Sequence, residues 1–103
     1  METKKLSENF SVLVRMEAKS GKEKEVMAFL KSALPLAQDE ANTVRWYAFQ
    51  LGPSTFGVFD TFETTEARQA HLNGKIAAAL MANAAALLAK EPSIEMVDLI
   101  AVK

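Results

Sequence analysis

The 103-residue chain contains no cysteine, one histidine, one tryptophan, one tyrosine, three prolines and four glycines. Without cysteine there are no disulfides and no thiolate metal ligands. With one histidine, a nitrogen-rich zinc site within a single chain is excluded as well. Charge of one sign is also missing, because 12 basic and 13 acidic residues leave a net charge near −1. Such a surface has no general attraction for phosphate backbones or anionic lipids, so neither nucleic acid nor membrane is an expected partner. The longest apolar stretch, Ile76 to Ala82, is far too short to span a bilayer. The N-terminal METKKLSENF has lysines but no apolar run of the signal-peptide kind, so a cytoplasmic location is expected.

Half of the residues are apolar, which suits a packed globule. A chain of this length buries roughly 60–65% of its unfolded surface as one domain. Residues 1–8 read as a flexible tail and residues 9–103 as that domain.

Phe10 to Met16 has the period of a strand, with Phe10, Val12, Val14 and Met16 on one face. Ser20-Gly21-Lys22-Glu23 has capping-box spacing, and Val26, Phe29, Leu30, Ala33 and Ala37 then recur as one buried helical face. Pro35 is expected to kink or end that helix. Thr43 to Leu51 reads as a strand with large apolar groups on both faces, and Gly52-Pro53-Ser54 turns it into a strand from Phe56 to Phe62. Glu63-Thr64-Thr65-Glu66 starts a second helix, interrupted at Asn73-Gly74 and resumed to Glu91-Pro92. Ile94 to Val102 completes the pattern as a last strand.

The order β-α-β-β-α-β gives an α+β, ferredoxin-like fold: a four-stranded antiparallel sheet with two helices on one face. The opposite face is then open, and its apolar content calls for a cover. A second copy of the chain, forming a dimeric α+β barrel, is the expected partner.

Chemistry concentrates between Phe56 and Leu72, where an acid, aromatic rings and the single imidazole meet at a strand-to-helix junction. His71 fits two roles, a base or a structural histidine bonded to Asp60. Asp60 shares a strand face with Phe56, Val58 and Phe62 and needs a partner if buried, with His71 and Arg45 as candidates. Trp46 fits either core packing or a ring platform. Asn83 is a lone amide on an Ala/Leu helix, suited to solvent, to a neighbouring carbonyl or to a pocket. Arg45 suits either an anionic substrate group or a surface or interface role.

In three places the sequence resembles the antibiotic biosynthesis monooxygenase family. Glu40-Ala41-Asn42-Thr43-Val44-Arg45-Trp46 is similar to its Glu-Pro-Gly followed by an aromatic, with Ala41-Asn42 in place of Pro-Gly. Phe59-Asp60-Thr61-Phe62 is similar to its strand ending in an acid, any residue and an aromatic, with Asp60 for the usual Glu and Phe62 for Trp or Tyr. Glu66-Ala67 through Ala70-His71-Leu72 is similar to its Glu-Ala then Ala-His-Leu helix. The resemblance implies a dimeric α+β barrel that oxidises a small aromatic quinol or anthrone-like molecule with dioxygen and no cofactor. It places His71 and Asp60 as catalytic and Trp46, Phe59, Phe62, Asn83 and Arg45 around the ring. Members that degrade haem use a histidine in the second half of the second helix. Ile76 to Met81 has none, so haem is not expected.

Two other readings share the element order. RNA-binding domains place alternate aromatics on an exposed strand face, but Phe56 and Phe59 lie on opposite faces and no Lys or Arg falls between Leu51 and Thr65. A non-catalytic dimeric barrel that binds a small apolar ligand fits the pattern better and stands as the alternative to an enzyme.

Overall fold

A computed structural model describes residues 8–103. The elements run β1 (Phe10–Glu17), α1 (Glu23–Gln38), β2 (Thr43–Gln50), β3 (Thr55–Phe62), α2 (Thr65–Leu72), α3 (Lys75–Leu87) and β4 (Ser93–Asp98). The four strands form one antiparallel sheet in the order β2-β3-β1-β4, the ferredoxin-like arrangement expected from the sequence.

The helix-facing side of the sheet carries the core. Val12, Val14 and Met16 of β1 are in register with Asp60, Val58 and Phe56 of β3, all of them buried. Val26 and Leu30 from α1, with Leu88 beyond α3, close over them. Ala33 and Ala37 pack against Ile76 in a second cluster, and Trp46 touches both clusters. Ala33 and Ala37 are small enough to let α1 come close to α3 at Ile76.

Three details differ from the sequence expectation, and one open alternative is decided. Ser20 does not cap α1. The cap position falls on Lys22, whose side chain makes no capping bond, while Glu23 Oε1 accepts from the Gly21 N–H at 3.0 Å. Gly21 itself has φ +87°, a left-handed conformation that favours glycine and forms the turn into the helix. Pro35 neither ends nor breaks α1, which continues to Gln38. Pro35 and Lys31 are both exposed, so the Lys31 carbonyl that loses its partner faces water, and buried Ala33 and Ala37 hold the last turn in place. Asn73-Gly74, which the sequence leaves open as a stop or a bend, is a stop between two helices, α2 and α3. The last strand ends at Asp98, and residues 99–103 carry on without strand structure.

Of the expected N-terminal tail, residues 1–7 lie outside the described residues. Glu8 does not belong to a loose tail. It is 2% exposed and accepts from Arg45 Nε at 3.0 and 3.1 Å and from Thr61 Oγ1 at 3.1 Å.

On the open side, Leu13, Phe49, Phe59 and Val97 are half-buried and Tyr47 is 52% exposed. Phe49 lies across Gly57 on the neighbouring strand. A Cβ at Gly57 would fall on the Phe49 ring and 2.8 Å from the Val14 carbonyl oxygen. Gly57→Ala therefore destabilises the fold by about 1–3 kcal/mol in urea unfolding. Phe49→Leu in the same chain restores only part of that loss, because the Val14 backbone cannot retreat as a ring can.

Candidate functional site

The site begins with a capped helix. Thr64 has extended backbone, and its Oγ1 accepts from the Ala67 N–H at 3.0 Å, which fixes the start of α2 and the direction in which His71 leaves its last turn. Phe62, fully buried at the end of β3, packs against the imidazole with ring centroids 5.2 Å apart and planes at 43°. Asp60 lies on the helix-facing side of β3, in register with Trp46 of β2 and Val12 of β1.

His71 is held from both sides. Its Nδ1–H donates to Glu40 Oε1 at 2.7 Å, and its Nε2 lies 2.8 Å from Asp60 Oδ2. The second contact is a close ion pair, and among the described residues no other donor reaches the fully buried Asp60 carboxylate. Glu40 follows α1 in the turn to β2 and is itself aimed by Thr43 Oγ1, which donates to the same Oε1 at 2.7 Å. One imidazole thus ties the end of α1, the sheet and α2 together.

This geometry sets the protonation state. A neutral imidazole donates through one nitrogen and presents a lone pair at the other. Between two carboxylates that lone pair would face an oxygen lone pair, whereas an imidazolium gives each carboxylate an N–H. Burial is the largest single influence on His71 and lowers its pKa. The hydrogen bond and charge of Asp60, followed by those of Glu40, together outweigh burial and raise it above 6.5.

A cleft of about 350 Å³ opens where Glu40 and His71 meet the surface, walled by Leu36, Thr43, Ala67, Ala70 and Lys75. That volume is in the range of small-molecule sites. Both hydrogen bonds to Glu40 fall on Oε1, so Oε2 has no protein donor among the described residues. A second, much smaller space of about 40 Å³ lies between sheet and helices, with Trp46 and His71 on its wall.

The chain superposes on the crystal structure of NE2512 from Nitrosomonas europaea, a protein of unknown function, with a TM-score of 0.93 and 56% identity over 96% of each chain. The chain belongs to the NE2512 family. An antibiotic biosynthesis monooxygenase superposes with a TM-score of 0.77 and 13% identity over 89% of this chain and 99% of that one. Rv0793 from Mycobacterium tuberculosis does so at 0.81 and 12%, over 90% and 96%. At such identities the likeness is one of fold. The resemblance to the monooxygenase family is therefore a shared architecture. No protein-family model and no curated protein matches the chain.

The residues singled out from sequence divide into two groups. Asp60, His71, Phe62 and Trp46 do come together on the helix-facing side, although Phe62 is sealed in the core behind His71. Phe59 and Arg45 point to the open side, away from the imidazole. Arg45 pairs with Glu8, not with Asp60 and not with a free anion site. Asn83 lines none of these spaces; its amide donates to the Ala79 carbonyl one turn back, at 2.8 Å on an exposed helix face.

Sequence reading passed over Glu40 and Thr43 as site residues, although both stand in the quoted segment Glu40–Trp46. A histidine flanked by one acid in a pattern leaves its second nitrogen unassigned, and that was the available signal. It also passed over Arg68 on α2. The Arg68 guanidinium sits 5.3 Å from the centre of the Phe10 ring and donates to the Ser11 and Val97 carbonyls and to Asp98. Among the described residues no group of three or more His, Cys, Asp or Glu side chains is arranged to hold a metal ion, and no helix is long and apolar enough to cross a membrane.

The raised pKa of His71 makes stability depend on pH in a defined direction. The folded protein holds the His71 proton more tightly than the unfolded chain, whose value is near 6.5. This contribution is complete below that pH and is lost as pH rises through the folded pKa. An NMR titration of the single imidazole gives a midpoint above 6.5, and His71→Gln removes this part of the pH dependence in urea unfolding. Asp60→Asn lowers the midpoint, and it costs about 3–5 kcal/mol of stability because it breaks a buried ion pair from one side.

Proposed function

We propose that this protein is a monooxygenase-like enzyme that oxidises a small aromatic quinol or anthrone-like molecule with dioxygen, working at the Glu40–His71–Asp60 site. The observation that carries the reading is the free Glu40 Oε2 beside a ring-sized cleft, backed by an imidazolium that is itself anchored on a buried carboxylate. The fold shared with the antibiotic biosynthesis monooxygenase supports it.

His71 in its resting state is an acid or a positive charge, not a base. The proton acceptor is Glu40. Its Oε2 takes the acidic proton of the substrate, while the imidazolium beside it favours the anion that forms. The substrate anion then gives one electron to dioxygen, and the radical pair joins through a new C–O bond. The peroxide anion so formed takes back the proton held on Glu40, and loss of water from the hydroperoxide completes the balance; for an anthrone, a ring CH₂ and O₂ become C=O and H₂O. The electrons come from the substrate, so the scheme asks the protein for a proton acceptor, a fixed charge and exclusion of water.

Oxygen-electrode assays across a panel of anthrones and quinols test this directly. Uptake above buffer is expected, and it falls by about 10²–10⁴-fold in Glu40→Gln and His71→Ala, with folding checked by circular dichroism. If no member of the panel is turned over while one of them binds in the cleft, the protein is a binding module and the enzymatic reading is wrong.

The open side of the sheet bears on assembly. We propose that a second copy covers it, making a dimeric barrel around Leu13, Tyr47, Phe49, Phe59 and Val97. Sedimentation gives a dimer for the native chain and a monomer for Tyr47→Glu, which sets a charge in the middle of that apolar surface. A monomeric native chain would remove the barrel.

A further inference from the structure

The space of about 40 Å³ between sheet and helices is too small for any aromatic ring and large enough for one or two small molecules. Leu30 and Val58 lie on its wall with Ile76 and Leu80, and only two of its lining side chains, Trp46 and His71, carry polar atoms. A water held there would need two to four polar partners. Both nitrogens of His71 are engaged by Glu40 and Asp60. The Trp46 indole N–H is buried without a hydrogen-bond partner, so at best one donor is on offer. A water with one partner is worse off than in bulk, and the cavity is accordingly dry.

A dry, apolar space of this size takes an apolar gas. We propose that it is a dioxygen site, set on the inner side of His71 while the ring-sized cleft lies on the outer side. The proposal rests on the oxidation reading for its purpose, since that reaction consumes dioxygen at the same imidazole. Occupancy itself rests on size, dryness and lining alone. Half-exposed Ile94 forms part of the wall, on the β4 side of the cavity.

The test is methyl NMR of the full chain under dissolved dioxygen, whose unpaired electrons speed relaxation of nearby protons, with xenon as a second, diamagnetic probe. No substrate is present. The Leu30, Val58, Ile76 and Leu80 methyls are expected to relax faster than the more exposed methyls of Leu51 and Ile100, and xenon is expected to shift the same core set. Ala77→Leu reduces the space and weakens both effects; Leu80→Ala enlarges it and strengthens them, which keeps the test decisive if the larger side chain prevents folding. Relaxation that simply follows surface exposure, or effects unchanged in the folded variants, overturns the proposal. Where a quinol is turned over, Ala77→Leu raises KM for dioxygen several-fold and leaves KM for the quinol unchanged; equal changes in both overturn the assignment of this cavity as the dioxygen supply. Because gas occupancy is measured without substrate, a failed quinol panel and an empty cavity are separate results.

Discussion

The bridge from Glu40 through His71 to Asp60 is the constraint on which the remaining geometry depends. Asp60 sits in the middle of the sheet, at 0% exposure and between apolar neighbours, a position where an unpaired carboxylate would cost several kcal/mol. Only a cation or a proton makes that position tolerable, and among the described residues the cation in contact with it is His71. His71 can serve only if α2 starts where Thr64 caps it, and Glu40, as a second acceptor, adds to the hold of Asp60 on its charge. Each of these conditions belongs to a different element. The ion pair therefore specifies how α1, α2 and the sheet meet, beyond anything it adds to stability.

That specification explains why the two spaces around the imidazole differ in kind. Outside, the turn from α1 to β2 must leave room for Glu40 to reach across, and a cleft with polar walls results. Inside, Phe62 packs against the imidazole while Leu72, Ile76 and Leu80 fill the gap over Val12 and Val58, leaving only a small apolar void. A histidine with both nitrogens occupied cannot offer a hydrogen bond to either space. What it offers to both is charge, screened little on the inner side and more on the outer. Substrate recognition by hydrogen bonding then falls to Glu40 Oε2 and the walls of the cleft.

Much of the fold could be read from the sequence because its signals are local. Alternation in Phe10–Met16, the three-and-four spacing of Val26, Leu30, Ala33 and Ala37, and the Thr64 cap each belong to one element and need no tertiary information. The pairing of Asp60 with His71 was one of two options in the sequence, and the structure selects it because Arg45 lies on the other face of the sheet. Pro35 does not end α1 for a physical reason: a missing N–H costs little when the stranded carbonyl is exposed and the helix ends within a turn. Asn83 misled because a polar residue among alanines looks purposeful, while a bond to its own helix satisfies it.

Glu40 shows where local reading fails. Nothing in the spacing of Glu40 and His71, 31 residues apart, brings them together; the sheet register and the length of α1 do. The protonation state of His71 is likewise a property of the assembled site, since neither carboxylate alone would occupy both nitrogens. A histidine with one acid in view reads as a base, because the free nitrogen is assumed to hold a lone pair. Adding the second acid turns the same residue into a fixed positive charge and moves the proton acceptor to Glu40. The change of role follows from one hydrogen bond of 2.7 Å between the end of α1 and the last turn of α2.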